Sequence, residues 1–509
     1  MTVIVQGEGL TGAEVVAVAR DSAPVSLGAE ARAAIERSHD VIVDLAQSGQ
    51  PVYGVSTGFG SLADVYIDPD RRTQLQRSLI RSHAAGMGPP VEVEVVRAMV
   101  LLRARTLSMG WSGVRLEVVE RMLDLLNHDI TPVVHEYGSL GCSGDLAPLA
   151  HVALVLMGEG EAWVGGVIRP GGEALSSAGL SPLVLEAKEG LALINGTDGM
   201  LGMLVLACTD IIALLQLADL TAAMSVEALL GTDAVFQPEL HRLRPHPGQL
   251  ASAANLVALL AGSGIVASHR EGDTRVQDAY SLRCAPQVHG AARDTLTHVE
   301  QVCGRELDSA IDNPIVLPDG RVSSNGNFHG APLAYAADFL AITLADVGSM
   351  AERRTDRMLD PHRSQGLPPF LADDPGVDSG LMIAQYTAAG LVAENKRLAA
   401  PASVDSIPTS AMQEDHVSMG WAATRKLRQV VTNLRSILTI ELVTAARAIE
   451  LRAPLLPSPA TARAIDILRG HMAGPGPDRW LAPELAAAVE MVATSDLLMA
   501  VGAVTGPLE

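Results

Sequence analysis

Apolar residues recur at Leu427, Val430, Val431, Leu434, Ile437, Leu438, Leu442 and Ile449, at intervals of three and four that set them on one helical face. Between Glu414 and Arg452 there is no proline and a single glycine. The pattern predicts a helix of about 35 residues, roughly 50 Å long. Two more stretches read the same way, Gly190 to Gly231 and Ala331 to Leu359, the second ending in the charged run Glu352-Arg353-Arg354. Strand signals are few: Met1 to Val5, and an alternating segment from Trp163 to Ile168 that turns at Gly165-Gly166. The most apolar stretch, Leu201 to Leu217, is broken by Thr209, Asp210 and Gln216 and reads as a buried helix rather than a membrane span. A mainly α protein built on long helices is predicted, with glycine- or proline-rich loops at 51–60, 82–90, 138–145, 323–330 and 366–380.

No linker or low-complexity tract divides the chain. One continuous body is expected, with approximate segments at 1–205, carrying the 138–145 loop, 206–455, carrying the long-helix bundle, and 456–509, a helical cap. The 509 residues are 48% hydrophobic and 19% charged, enough to bury a large core. A net charge of -21, with no long run among the 37 basic residues, argues against a nucleic-acid partner. Cys142, Cys208, Cys284 and Cys303 form no C-x-x-C pair, and no H-E-x-x-H or comparable metal spacing occurs. The opening MTVIVQGEGLTG lacks the basic region of a signal peptide, so a cytoplasmic location is expected, with neither membrane nor metal involved. Long helices leave apolar stripes in need of partners, and a homo-oligomer is expected.

Within GSLGCSGDLAPLAHVALVLMG, three glycines and two serines crowd 138–144, and an amphipathic helix pattern follows at once. Asp145 occupies the position of an N-cap and Pro148 fits the first turn. The segment is not a hydrolase elbow, because Asp145 replaces the last glycine, nor a Walker loop, because no G-K-[ST] follows. Elsewhere Gln277, Tyr280 and Arg283 are spaced to share a helical face, and Tyr53 opens the run YGVSTGFG.

GSLGCSGDLAPL resembles the signature of the aromatic amino-acid ammonia-lyase family, whose members act on histidine, phenylalanine and tyrosine and include aminomutases. Further blocks resemble the family in order along most of the chain: VYGVSTGFG, RSHAAGMG, KEGLALINGT, QDAYSLRCAPQVHG, DNP, GNFHG, ERRTDRMLD, MIAQYTAAGLVAENK and MQEDHVSM. The resemblance implies a mainly α, long-helix bundle of the fumarase/aspartase-like type with a smaller mixed N-terminal part. It also implies a homotetramer with shared active sites.

By the same resemblance, Cys142, Ser143 and Gly144 cyclise without any external cofactor to a 4-methylidene-imidazol-5-one. The residue types suit that chemistry. Gly144 nitrogen must reach the carbonyl of Cys142 through a bend that a Cβ obstructs. Dehydration of Ser143 then leaves a carbon electrophile that ordinary side chains lack. The common family tripeptide begins with Ala, but only the backbone carbonyl of residue 142 is consumed, so Cys142 fits.

The resemblance assigns the β-proton to Tyr53, with Tyr280 as supporting or alternative base, and the substrate carboxylate to Arg283 assisted by Gln277. Asn195 is assigned to the ring carbonyl and the substrate, and Phe328 to the substrate ring; the neighbouring His329 reads, apart from the resemblance, as structural. SHAAG and QEDH resemble the versions in members acting on histidine, where His83 and Glu414 bond the imidazole nitrogens. L-Histidine, a small-molecule amino acid, is therefore the expected substrate. Tyrosine or phenylalanine lyase or aminomutase activity is the alternative, and a non-catalytic scaffold of the same fold is the other. Asp198, Asn325 and Ala331 depart from the family pattern and bear on local loop packing. Whether the electrophile takes the amine or the aromatic ring stays open.

Overall fold

The computed structural model describes residues 2–47, 57 and 66–509, in two compact units. The first comprises Met1–Leu206, Glu300–Asp338 and Pro401–Arg425; the second comprises Ala207–Val299, Phe339–Ala400 and Lys426–Glu509. Among the described residues every strand falls in the first unit, which is the mixed part.

Its strands are short. Val3–Val5 pairs in parallel with Val25–Leu27, and Thr11 and Glu14 form a capping box on the intervening helix Gly12–Arg20. Glu161–Val164 and Val167–Pro170 form the predicted hairpin, turning through Gly165 and Gly166 at φ +60° and +78°. The helix Val93–Ser108 is buried almost throughout, and its Arg103 donates to the carbonyls of Asn195 (3.1 Å) and Ile311 (3.0 Å) and to the Asp198 carboxylate (3.0 Å). Asp198, one of the departures from the family pattern, is thus the buried counter-charge of Arg103.

The second unit is helical. Leu427, Val430, Leu434, Ile437, Leu438 and Leu442, the face predicted from their spacing, are all buried on the helix Gly420–Glu450. Arg354 and Glu441 form a fully buried bidentate ion pair, and Thr221 and Ser225 hydroxyls donate to the same carboxylate. Charges so deep are tolerated because each has a partner and further hydrogen bonds.

Two sequence expectations are corrected. Gly190 to Gly231 is not one helix but two, Glu189–Ile194 and Asp198–Ala228. Between them the carbonyl of Asn195 turns to Arg103 and that of Gly196 to the N–H of Asp145. The helix expected from Glu414 starts only at Gly420, because Glu414 pairs backward with Thr409 in an isolated β-bridge. Leu201 to Leu217, expected as a buried helix, lies within Asp198–Ala228 and is mostly buried. By length and composition the stretch Glu189–Ala228, taken across its break, and the helix Ala331–Leu359 are both long and apolar enough to cross a membrane, but 72% and 61% of their apolar windows are buried in the structure.

Candidate active site

The 138–145 loop is held in the first unit by two segments distant in sequence. The Gly141 carbonyl accepts from Ser418 Oγ (2.8 Å) and Gly330 N–H (3.1 Å), and the Leu140 carbonyl accepts from Met419 N–H (2.8 Å). Gly144 sits at φ +77°, and a Cβ there would meet the Gly196 carbonyl oxygen at 2.1 Å. The bend is therefore open to glycine alone.

Asp145, expected to cap its own helix, does not. Its side chain makes no cap bond to Leu146–Leu156. Instead Oδ2 accepts the N–H groups of Gly199 and Met200, both at 2.9 Å, capping the first turn of Asp198–Ala228, while Ser139 Oγ donates to Oδ1 at 3.0 Å. Complete burial pushes this carboxyl up to about 7, against the bonds from Met200 and Ser139.

Glu414 stands over the tripeptide. Its Oε2 accepts from Cys142 Sγ (3.2 Å) and Thr409 Oγ1 (2.9 Å), and its Oε1 accepts from Ser143 Oγ (3.4 Å). Burial, then the neighbouring Glu414 charge, pushes the Cys142 thiol up to about 12, so it remains a protonated donor. His83 gives Nδ1 to the Leu79 carbonyl at 2.9 Å. Burial lowers its pKa while that bond and the charge of Glu414 oppose the shift. With Nδ1–H donated, the neutral ring presents Nε2 as an acceptor.

Asn195 is 3% exposed. Its Nδ2 donates to the Asn313 carbonyl at 2.9 Å, and its Oδ1 is buried without a partner among the described residues. Asn325 serves the same corner, donating from Nδ2 to the Asp312 carbonyl and from its backbone N–H to Asn313 Oδ1, both at 3.0 Å. Lys188, buried and left-handed at φ +68°, pairs with Asp312 at 2.6 Å beneath it. Phe328 is half-buried on the loop that ends where Gly330 bonds Gly141, and the His329 ring stacks on His416 with centroids 5.7 Å apart.

Cys142, Ser143, Gly144, Asn195, His83, Phe328 and Glu414 thus all belong to the first unit. Gln277, Tyr280 and Arg283 belong to the second. The helical face expected for that trio is not formed, because helix Tyr280–Arg283 begins only after the extended Ala279, which leaves Gln277 in the preceding loop. Arg283 instead lies over the Tyr280 ring, 4.6 Å from its centroid. Tyr53 lies outside the described residues. Among the described residues no group of three or more His, Cys, Asp or Glu is placed to hold a metal ion. Thr409 and Ser418 were missed by the sequence reading, since nothing local marks a hydroxyl whose partner is remote or lies across a turn.

The family pattern of aromatic amino acid lyases matches residues 10–470 of the chain, which include this loop and Glu414. The chain belongs to that family. It is 62% identical over 509 residues to a histidine ammonia-lyase of Streptomyces avermitilis, covering 100% of this chain and 99% of the relative. It is 51% identical to one of Symbiobacterium thermophilum, with 100% of both covered. Among solved structures, a tyrosine aminomutase of Streptomyces globisporus superposes with a TM-score of 0.94 at 38% identity, covering 100% of both chains. A histidine ammonia-lyase of Trypanosoma cruzi superposes with a TM-score of 0.91 at 39% identity, covering 99% of this chain and 96% of that one.

Proposed function

We propose that the protein is a histidine ammonia-lyase, a carbon–nitrogen lyase that eliminates ammonia from L-histidine to give trans-urocanate. The observation that carries this reading is Glu414 bonded to both Cys142 and Ser143, with its charge reaching His83. The Streptomyces avermitilis and Symbiobacterium thermophilum relatives, matched over essentially their whole length, bear that activity in their names.

The residues fit a methylidene-imidazolone made from Cys142, Ser143 and Gly144. Gly144 has left-handed backbone packed so closely on Gly196 that no Cβ could occupy its place, which suits the residue whose nitrogen must close the ring. The buried, unpartnered Oδ1 of Asn195 is an acceptor awaiting a donor, as a substrate ammonium would be. Such a ring supplies a carbon electrophile that ordinary side chains lack.

This chain's own residues supply recognition and proton handling. Glu414 accepts the imidazole N–H of the substrate, and His83, kept neutral by burial, offers a second acceptor. Phenylalanine leaves both unbonded in a closed site, a loss worth orders of magnitude in discrimination. Gln277 and Arg283 grip the carboxylate, and Tyr53 or Tyr280 takes the β-proton. These groups complete the site in a homotetramer with shared active sites, working in the cytoplasm.

A second reading, action on tyrosine, rests on His83, whose Nε2 can also accept from a phenol. A panel of amino acids on protein of verified mass separates the two. The chain should be lighter by two water molecules, and histidine should be consumed far faster than tyrosine or phenylalanine. Tyrosine turnover equal to that of histidine reverses the substrate assignment, and an unchanged mass removes the electrophile. Ser143→Ala should abolish turnover with the fold intact.

A further inference from the structure

The two oxygens of Glu414 have different surroundings. Oε2 is held by Thr409 Oγ1 at 2.9 Å and by Cys142 Sγ at 3.2 Å. Oε1 has the Ser143 hydroxyl, at 3.4 Å. Thr409 and Glu414 also bond through their backbones in both directions, at 2.9 and 3.3 Å. The turn they close is strained, since Ser410, Ala411 and Met412 all lie at positive φ, +51°, +52° and +70°. Without a clasp, such a turn has every reason to relax and carry Glu414 with it.

We infer that Thr409 and Cys142 are positioning residues for Glu414, together pinning Oε2 so that loss of the Ser143 hydroxyl leaves Oε1 as the open acceptor above the tripeptide. The inference rests on reading Cys142-Ser143-Gly144 as the precursor of the electrophile. In that conversion the Gly144 nitrogen bonds to the Cys142 carbonyl carbon, whose oxygen departs as water with the amide protons of Gly144 and Ser143 as a C=N bond forms. The Cα–H and Cβ–Oγ bonds of Ser143 then break, a Cα=Cβ bond forms, and the hydroxyl departs with the Cα proton as the second water. Oε1 loses its partner in the same event, whereas both bonds to Oε2 survive. Because the thiol stays protonated, Cys142 adds a donor that the family's usual alanine cannot provide.

The test is a double-mutant cycle on the full chain. Rates are taken on whichever amino acid the unsubstituted protein deaminates fastest, so an error in the substrate assignment leaves the cycle readable. Thr409→Val and Cys142→Ala should each lower kcat/KM about threefold, and the double variant about a hundredfold, far beyond their product. Thr409→Ser should recover most of the loss. In a Glu414→Gln background Thr409→Val should have no further effect, because its influence passes through the carboxylate. Intact mass should show the loss of two waters in every variant. Simple multiplication of the two single effects overturns the positioning role, as does a Thr409→Ser variant no better than Thr409→Val or an undiminished Thr409→Val effect without Glu414. An unchanged mass in the unsubstituted chain overturns instead the reading of the tripeptide beneath it.

Discussion

Gly144 is placed so that its missing side chain matters twice. At φ +77° any L residue is strained by roughly 1–2 kcal/mol. A Cβ would also press to 2.1 Å from the Gly196 carbonyl oxygen, backbone that Asp145 N–H already fixes at 2.7 Å. Gly144→Ala should therefore open the bend, leave the chain at its unprocessed mass and lower its melting temperature. Mass spectrometry beside calorimetry checks both, and a processed alanine variant would show that the close packing of Gly144 on Gly196 is not required for cyclisation. At this scale the sequence was informative about Ser143 and Gly144, whose types are set by local backbone chemistry. It was silent about Thr409 and about the bonds from Cys142 and Ser143 to Glu414, which join residues 272 and 271 positions apart. Glu414 itself was reached only through resemblance, and the turn that presents it uses non-glycine residues at positive φ, which no turn signal announces.

The helices were legible where periodicity governs and illegible where a side chain serves a neighbour. Ala331–Leu359 and the buried face of Gly420–Glu450 follow directly from spacing. Asp145 looked like the cap of its own helix because it stands at that helix's start, yet its carboxylate caps Asp198–Ala228, a choice made by tertiary packing. The break at Asn195 has the same origin, its carbonyl being bound by Arg103. Asp145 gives this arrangement a pH signature. Its folded pKa is raised from 3.8 to about 7, so folding resists its ionisation. Below about 4 the group is protonated in both states and costs nothing. As pH rises from there toward 7 the unfolded chain ionises first, so this group's contribution to stability falls across that window and is level above it. Asp145→Asn keeps an oxygen for Gly199 and Met200 and turns its amide to Ser139. It should flatten the slope of unfolding free energy against pH between 4 and 7. Asp145→Ala leaves two N–H groups of the first turn unbonded and should destabilise by about 1–3 kcal/mol. Urea titrations across that pH range decide it, and an unaltered slope in the asparagine variant would mean another group carries the dependence.

Over the whole molecule, apolar surface and net charge pull in opposite directions. Phe339 and Ile342 on Ala331–Leu359 are 48% and 46% exposed, and Ile383 and Tyr386 on Met382–Leu398 are 60% and 65% exposed, both pairs at helical spacing. Stripes of this kind on long helices are ordinarily covered. The chain carries -21 charges, so bringing copies together costs repulsion that salt screens over about 8 Å at physiological ionic strength. Burial of apolar area must outweigh that repulsion for the proposed tetramer to form. Light scattering should accordingly find four chains at physiological salt and partial dissociation when the salt is removed. Ile342→Glu combined with Ile383→Glu puts new charge on both stripes, and should yield smaller particles of unchanged helical content. Activity should fall in step with assembly if the carboxylate grip of Gln277 and Arg283 is completed between copies. A dissociated variant that keeps full turnover would show that one chain closes the site by itself, and a particle indifferent to both substitutions would mean that other surfaces hold the copies together.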